Sequence, residues 1–561
     1  MQKSEALEYW KKIVCYEIYP SSFQDANGDG FGDLKGIANR LDYLESLGVG
    51  CIWMTPVYAS PMRDNGYDVS DFYKINPQYG TMEDMDELLA KAREHHIVVM
   101  MDLVFNHVSK EHPWFLESQK SRDNSKSDWF IWKDPKPDGS PPNNWRGIFG
   151  GSAWTWNAAR GQYYLHTFGD FQPDLNWENP EVRKALYDIA NFWIGKGVGA
   201  FRIDAIVYIK KPKDFADGKP DASDGMVLIH DMTANTDGIL DFLREFKTNV
   251  WKNKNVFTVA EANGIRPEEL KNWVGENGVF DMLFEFNHLQ GGDIWFKAKK
   301  LSMLDIKMAI VRSQMATAEN GWYPIFWENH DKPRSISANF SNAADPVLAG
   351  KALLTLLLTL RGTPFVYQGE EIGMTNVNWD SIDAYNELNS RSQYELARRE
   401  GFGADEAIRF VQAFSRDNAR TPMQWDSSAN AGFTCGKPWL ALNENYPQIN
   451  VQKEEGDPES ILAWFRRLSR FREKSEVLLN GDFQILLADD ERIFAYKRTF
   501  QGKSLTILVN FSEADAFYDK SLLGDATLLF SNYGDAKKSH LRPLEANIFS
   551  VDGCDFDNPN F

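Results

Sequence analysis

The sequence predicts an α/β chain organised as a closed (β/α)8 TIM barrel, with a loop-rich subdomain inserted after the third strand and an antiparallel β domain at the C-terminal end. Three observations lead there. Eight short apolar runs alternate with helix-like amphipathic stretches. The connection over residues 106–179 is far too long for an ordinary strand-to-helix loop. Beyond about residue 480 short alternating runs take over.

The eight runs are Ile13–Pro20, Cys51–Pro56, Ile97–Phe105, Gly199–Asp204, Val256–Ala260, Val279–Glu285, Tyr323–Trp327 and Pro364–Tyr367. Runs this apolar suit strands buried on both faces, as in a parallel sheet covered by helices. Eight of them close a barrel, with the functional residues where the strands end; an open doubly wound sheet is the alternative. A helix is expected over residues 36–47. Residues 1–106 and 178–480 are assigned to the barrel, 107–177 to the insert and 481–561 to the β domain. The insert is rich in Trp, Gly, Pro and Asn, and most of Trp114, Trp129, Trp132, Trp145, Trp154, Trp156 and Trp177 are expected to form its small aromatic core. The β domain is read from Phe483–Leu487, Arg492–Lys497, Ser504–Val509 and Ala526–Phe530.

Composition narrows the ligand. A net charge of -19 argues against nucleic acid and anionic membrane surfaces, which need a surplus of Lys and Arg. An aromatic content of 14% suits stacking against sugars or bases. Cys15, Cys51, Cys435 and Cys554 show no paired spacing and read as reduced thiols. Met1–Glu5 carries no basic segment leading into an apolar core, and no run approaches the ~18 apolar residues of a membrane span, so a cytoplasmic location is expected.

The stretch Gly199-Ala200-Phe201-Arg202-Ile203-Asp204-Ala205 places two opposite charges in an apolar run. Alternate residues of a strand share a face, so Arg202 and Asp204 can neutralise each other. Asp204, Glu261 and Asp331 each sit just past the apolar core of a strand run, and in a barrel they converge at one mouth. Each alone would also serve as a helix cap. Together, a nucleophilic carboxylate and a protonated one are the machinery of glycoside hydrolysis, and a third can orient the sugar. Asp25, Asn27, Asp29, the Phe31 carbonyl and Asp33 offer oxygen ligands at alternate positions, as in a calcium loop. Gly36 stands where an EF-hand needs Glu, and a plain loop of Asx turns is the alternative.

Four ordered motifs, Asp102-Leu103-Val104-Phe105-Asn106-His107, Gly199 to Asp204, Ala260-Glu261 and Glu328-Asn329-His330-Asp331, resemble those of the α-amylase family of glycoside hydrolases, family 13. Gln172-Pro173-Asp174-Leu175-Asn176 and Arg416 to Trp425 are similar to signatures of its oligo-1,6-glucosidase and α-glucosidase branch. The resemblance implies Asp204 as nucleophile forming a β-glucosyl ester, Glu261 as general acid and then base, and Asp331 as transition-state stabiliser. Arg202 would keep Asp204 ionised, and Asp204 and Asp331 would keep Glu261 protonated. It also implies His107 and His330 as donors to sugar hydroxyls, Phe168 and Gln172 as pocket residues, and Asp64 and Tyr67 as the grip on the non-reducing end, with Asp64 paired to Arg416. A type I′ turn at Asn65-Gly66 is the plain reading of that segment.

Relatives in this branch carry a structural calcium at the Asp25–Asp33 loop, with magnesium as the alternative, and no organic cofactor. Strict α-1,6 relatives carry Val after the nucleophile, so Ala205 implies α-1,4 activity with α-1,6 tolerated. A small saccharide is the implied substrate, transglycosylation a side reaction, and the chain a monomer or small homo-oligomer. Oligo-1,6-glucosidase, sucrose hydrolase, trehalose-6-phosphate hydrolase and a non-catalytic sugar-binding relative are the alternatives. Sucrose isomerisation is disfavoured because Phe284–Gln290 lacks arginine. Lys210, Lys211 and Lys213 could contact a sugar phosphate but read better as a solvated charged face.

Overall fold

Alternation along the apolar runs decides which residues fill the centre of the molecule. In the computed structural model, which describes residues 9–551 except 267, 276, 293, 319–320, 341–344 and 538, the runs become eight parallel strands. They are β1 (Val14–Ile18), β2 (Val49–Met54), β3 (Val98–Val104), β4 (Ala200–Asp204), β5 (Phe257–Glu261), β6 (Met282–Phe284), β7 (Pro324–Ile325) and β8 (Thr363–Tyr367). Met1–Glu5, Cys554 and residues 552–561 of the expected β domain lie outside the described residues.

The strands pair in the order β6-β5-β4-β3-β2-β1-β8-β7, so the first strand lies between the second and the last. That order excludes the open doubly wound sheet. The ring closes through side chains between β6 and β7, where Phe284 packs against Phe326 at 5.0 Å and His288 Nε2 donates to the Phe326 carbonyl at 2.7 Å. Cys51, Met100, Ala200, Phe257, Met282 and Phe365 meet inside the barrel. Residues two further along each strand share that inward face, so Trp53, Asp102, Arg202 and Val259 form the next layer, with Asp204 and Glu261 above it at the strand ends.

The helix Pro180–Lys196 aims the chain into β4. Asn179 caps it by accepting from the Glu181 N–H, Pro180 opens it, and Gly197 ends it at φ 107°. Its buried stripe of Val182, Leu186, Ile189, Ala190 and Trp193 lies against the outer face of the barrel, each large side chain contributing about 1.5–3 kcal/mol. A side chain at position 197 would meet Arg93 at 2.9 Å as well as the left-handed backbone.

The helix expected over residues 36–47 is two short ones, Leu34–Ala38 and Leu41–Ser46. In the insert, Trp132–Lys133, Gln162–Leu165 and Trp154–Asn157 form a small sheet. Trp114 packs on Trp129 at 4.8 Å and Trp132 stacks on Phe115, whereas Trp156 is 46% exposed. Val227–Leu228, from the loop after β4, pairs with Trp145–Arg146, so that loop shares the insert's core. The antiparallel sheet at the C-terminal end runs Asp482–Leu486, Ile493–Phe500, Lys503–Asn510, Ala546–Val551 and Thr527–Ser531. It seats on helix Pro346–Thr359, whose Thr359 carbonyl accepts from Arg498 at 2.8 Å. Among the described residues no helix is long and apolar enough to cross a membrane.

Candidate active site

Parallel pairing of β4 with β3 places Arg202 beside Asp102, and pairing with β5 brings Glu261 alongside. Arg202 is 1% exposed and binds three carboxylates. Its Nη1 donates to Asp102 at 2.8 and 2.9 Å and to Asp204 Oδ1 at 2.6 Å, and its Nη2 donates to Glu261 Oε2 at 2.6 Å. Burial lowers the pKa of the guanidinium, but Asp102 and Glu261 together hold it well above the ordinary value. The reverse balance applies to the acids. Burial raises Asp102, Arg202 pulls it back, and it settles at about 6. Burial also lifts Asp204 well above the usual carboxylate range, against the pull of Arg202 and with Glu261 and Asp102 adding to the rise. Arg202 thus acts on Asp204 in the expected direction, favouring its ionised form against burial, while it is shared with Asp102 and Glu261, so protonation belongs to the cluster.

Ala205 takes a left-handed conformation, φ 44° and ψ 33°, and its N–H donates to Glu261 Oε2 at 3.0 Å. The turn after the nucleophile candidate thus orients the acid candidate through the backbone, a role the identity of residue 205 does not disclose.

Asp331 follows β7 on a turn held by the Asn329 side chain, which accepts its N–H at 2.9 Å. Burial pushes this carboxyl up, but Arg416 at 3.3 Å and Arg420 at 2.8 Å pull harder and leave it well below the ordinary value. Arg416 is thereby committed to Asp331, with Glu387 at 3.8 Å on its other side. The expected Asp64–Arg416 ion pair is not formed. Asp64 instead accepts from Gln172 Nε2 at 2.9 Å, and burial raises it to about 7 despite Arg416 and Arg420. The type I′ turn is present as well, with Asn65 at φ 49°, Gly66 at φ 104° and the Tyr67 N–H donating to the Asp64 carbonyl at 3.0 Å. It is this turn that presents Asp64 and Tyr67 to the cavity.

The cavity has a volume of about 190 Å³, and Asp64, Tyr67, His107, Phe168, Asp204, Ala205, Glu261, Asp331 and Arg416 all line it. Gln172, Arg202 and His330 stand behind the wall. His330 has both ring nitrogens engaged, Nδ1 with Glu17 Oε1 at 2.6 Å and Nε2 with the Tyr67 hydroxyl at 2.7 Å, so a sugar hydroxyl would reach Nε2 by replacing Tyr67. His107 Nε2 lies 3.0 Å from the Tyr67 carbonyl and 3.2 Å from Gln172 Nε2. Burial lowers His107 to about 4 and His330 to about 3, so both rings are neutral at neutral pH. Lys211 is buried against Asp174 at 2.7 Å and Lys210 pairs with Glu178 at 2.6 Å, so neither belongs to a solvated face nor forms a phosphate cluster.

Sequence reasoning gave no role to Glu17, Asp102, Arg420, Phe149, Tyr208 or His230. Glu17 carried a usable signal, an acid inside the apolar β1, and Asp102 carried the same signal on β3. Arg420 and the cavity-lining Phe149, Tyr208 and His230 carried none that separates them from loop residues.

None of Asp25, Asn27, Asp29, Phe31 and Asp33 lines this cavity. Asp25 Oδ1 accepts from Asn27 and Gly28 at 2.9 and 2.7 Å, Asn27 from Asp29 at 2.8 Å, and Asp29 from Phe31 at 2.9 Å, a ladder of Asx turns. Asp33 caps the helix Leu34–Ala38. Burial raises Asp33 and the nearby Asp25 charge adds to the rise. The donors are hard oxygens of the kind Ca2+ and Mg2+ take, but the carboxylates of Asp25, Asp29 and Asp33 do not converge on one point; among the described residues only Asp42, Glu45 and His95 bring three metal-ligating side chains together.

The model of the α-amylase catalytic domain matches residues 17–481. The chain is 42% identical over 554 residues to an oligo-1,6-glucosidase of Halalkalibacterium halodurans, covering 97% of this chain and 99% of that one. It is 40% identical over 566 residues to a trehalose-6-phosphate hydrolase of Bacillus subtilis, covering 98% and 99%. The crystal structure of the trehalose-6-phosphate hydrolase of Bacillus licheniformis superposes with a TM-score of 0.89 at 38% identity, over 97% of this chain and 99% of that chain. With a (β/α)8 barrel, acidic residues at its strand ends and relatives of this similarity along nearly its whole length, the chain belongs to the α-amylase family and is a glycoside hydrolase.

Proposed function

We propose that this glycoside hydrolase is a retaining, exo-acting α-glucosidase that releases terminal glucose from short saccharides, favouring α-1,4 over α-1,6 linkages. The observation that carries the reading is the pair Asp204 and Glu261, hydrogen-bonded to the two ends of one guanidinium at the floor of a small cavity. Carboxyls that share one partner suit the ~5–5.5 Å spacing of a nucleophile and acid, not the ~6.5–9.5 Å that admits a water between them. Asp204 attacks the anomeric carbon as Glu261 gives its proton to the departing oxygen. Glu261, now ionised, then takes a proton from the water that cleaves the ester and so regains its starting state. Asp331, kept ionised by two arginines, receives sugar hydroxyls, and Asp64 with Tyr67 and Phe168 closes the end that makes the action exo.

Ala205 supports the linkage preference, since its small side chain lines the cavity beside the nucleophile. Hydrolysis of maltose is expected to exceed that of isomaltose, and isomaltose cleavage with no measurable maltose cleavage would refute this. In Ala205→Val the ratio of maltose to isomaltose kcat/KM should fall at least ~10-fold, a difference of about 1.4 kcal/mol. The strain of a β-branched residue in this left-handed conformation lowers both rates alike and cancels in the ratio, which therefore reports the bulk of the side chain. An unchanged ratio would remove Ala205 from the argument.

The Asp25–Asp33 loop is proposed to hold a structural calcium through Asp25, Asn27, Asp29, the Phe31 carbonyl and Asp33. It would act on stability and not on chemistry. At 100-fold excess over its dissociation constant such an ion stabilises by about 2.7 kcal/mol. Adding calcium to chelator-treated protein should therefore raise Tm by several degrees, and Asp25→Ala should lose that response. Identical Tm values with calcium, magnesium and chelator would contradict the assignment.

A further inference from the structure

Glu17 is 2% exposed, lies on β1 beneath the cavity, and takes no part in the chemistry described above. Its Oε1 is 2.6 Å from His330 Nδ1, His330 Nε2 is 2.7 Å from the Tyr67 hydroxyl, and that hydroxyl is 3.0 Å from Asp102 Oδ2. Asp102 in turn binds Arg202, which binds Asp204 and Glu261. The groups facing Glu17 are His330 and Asp331 beyond β7, Arg202 on β4, Asp102 on β3 and Tyr367 on β8, while β2 presents Trp53.

Hydrogen counting limits how this chain can be protonated, because a tyrosine hydroxyl has one hydrogen and a neutral imidazole one N–H. With a neutral ring, two arrangements satisfy every contact. In the first, Glu17 is protonated and donates to Nδ1, Nε2–H donates to Tyr67, and Tyr67 donates to an ionised Asp102. In the second, Asp102 is protonated and donates to Tyr67, Tyr67 donates to Nε2, and Nδ1–H donates to an ionised Glu17. Moving from one to the other carries one proton from Glu17 to Asp102 by a shift at each link, with no change of total charge.

We propose that Glu17 is a positioning residue that stores a proton behind the site and, through His330 and Tyr67, decides whether Asp102 receives the Tyr67 hydrogen bond and so how strongly Asp102 competes with the acid pair for Arg202. The placement of Arg202 favours the first arrangement: Glu17 and Asp102 are both buried, but Arg202 donates to Asp102 at 2.8 and 2.9 Å and not to Glu17, so the ionised carboxylate belongs at Asp102 and the proton at Glu17, whose pKa burial raises. When the stored proton is lost at high pH, Glu17 must accept from Nδ1–H. Nε2 then requires the Tyr67 hydrogen, and Asp102 loses it. The alkaline limb of activity therefore coincides with a change of His330 tautomer. This inference rests on the catalytic reading of Asp204 and Glu261, but its spectroscopic arm needs no turnover.

The experiment is 15N NMR of histidine-labelled enzyme, with the His330 signal assigned by its loss in His330→Asn, beside pH profiles of kcat/KM. In the wild type His330 should remain neutral and pass from the Nε2–H to the Nδ1–H tautomer across the alkaline limb. In Glu17→Gln the position of Oε1 also faces the His330 backbone N–H at 3.3 Å, so the amide oxygen takes that place and accepts from Nδ1–H at every pH; the Nδ1–H tautomer should then persist, and the limb that follows the Glu17 proton should be lost from the profile. A His330 that stays in one tautomer in the wild type, or becomes an imidazolium, overturns the proposal even if the variant fails to fold. So does a folded Glu17→Gln enzyme whose profile superimposes on that of the wild type.

Discussion

Replacing Asp204 with alanine should lower kcat/KM by about 10⁴-fold or more while the chain still folds. The loss follows from removing the carboxylate that, alone among the described residues, both lines the cavity and hydrogen-bonds Arg202 Nη1. Folding survives because Arg202 keeps Asp102 and Glu261, and a cluster of three acids on one base becomes two on one. Relief of like-charge repulsion should leave Tm equal to or slightly above that of the wild type. Circular dichroism and thermal unfolding check the fold, and hydrolysis persisting near the wild-type rate would remove Asp204 from the mechanism.

Arg202→Met has the opposite structural consequence. Three buried or half-buried carboxylates would lose their shared cation, and removing one partner of a buried ion pair costs roughly 3–5 kcal/mol. The pH dependence fixes the cause. Without Arg202 the folded-state pKa values of Asp102 and Asp204 rise further above the unfolded ones, so the folded chain binds protons more tightly than the unfolded chain. Stability is then lost as pH rises from the unfolded pKa through the raised folded one. The deficit relative to the wild type should be small near pH 4 and largest at neutral pH. Denaturant melts at several pH values test this, and a deficit independent of pH would mean that packing, not charge, is lost.

Much of the barrel was legible because strands covered on both faces must be apolar throughout, and an acid or base inside such a run stands out. Arg202 and Asp204 were visible on that ground, and Glu261 and Asp331 by their place just beyond. The same rule applied to Glu17 and Asp102 would have exposed the chain behind the cavity, but their partners are set by strand register and by the loop carrying Tyr67, which a linear reading does not supply. The strand Ala546–Val551 escaped notice because Asn547 interrupts its apolar pattern; that side chain is buried and accepted inside by Glu545 at 2.8 Å.

Competition explains the pairings that differ. Arg416 could reach either Asp64 or Asp331, and Asp331 takes it because Arg420 and the Asn329 turn already hold that carboxylate in place. Lys211 belongs to Asp174, which also accepts from Asn106 and Thr167, a network between the insert and the barrel that no local spacing announces. Ala205 shows a third kind of gap. Its size was legible, whereas the left-handed turn that aims its N–H at Glu261 depends on how β4 ends.

The most direct test of the Asp204–Glu261 pair as nucleophile and acid is time-resolved proton NMR of the first glucose released from an aryl α-glucoside. Two displacements through an Asp204 ester predict that the α-anomer appears first and mutarotates afterwards. Initial release of β-glucose would mean a single displacement by water and would contradict the account.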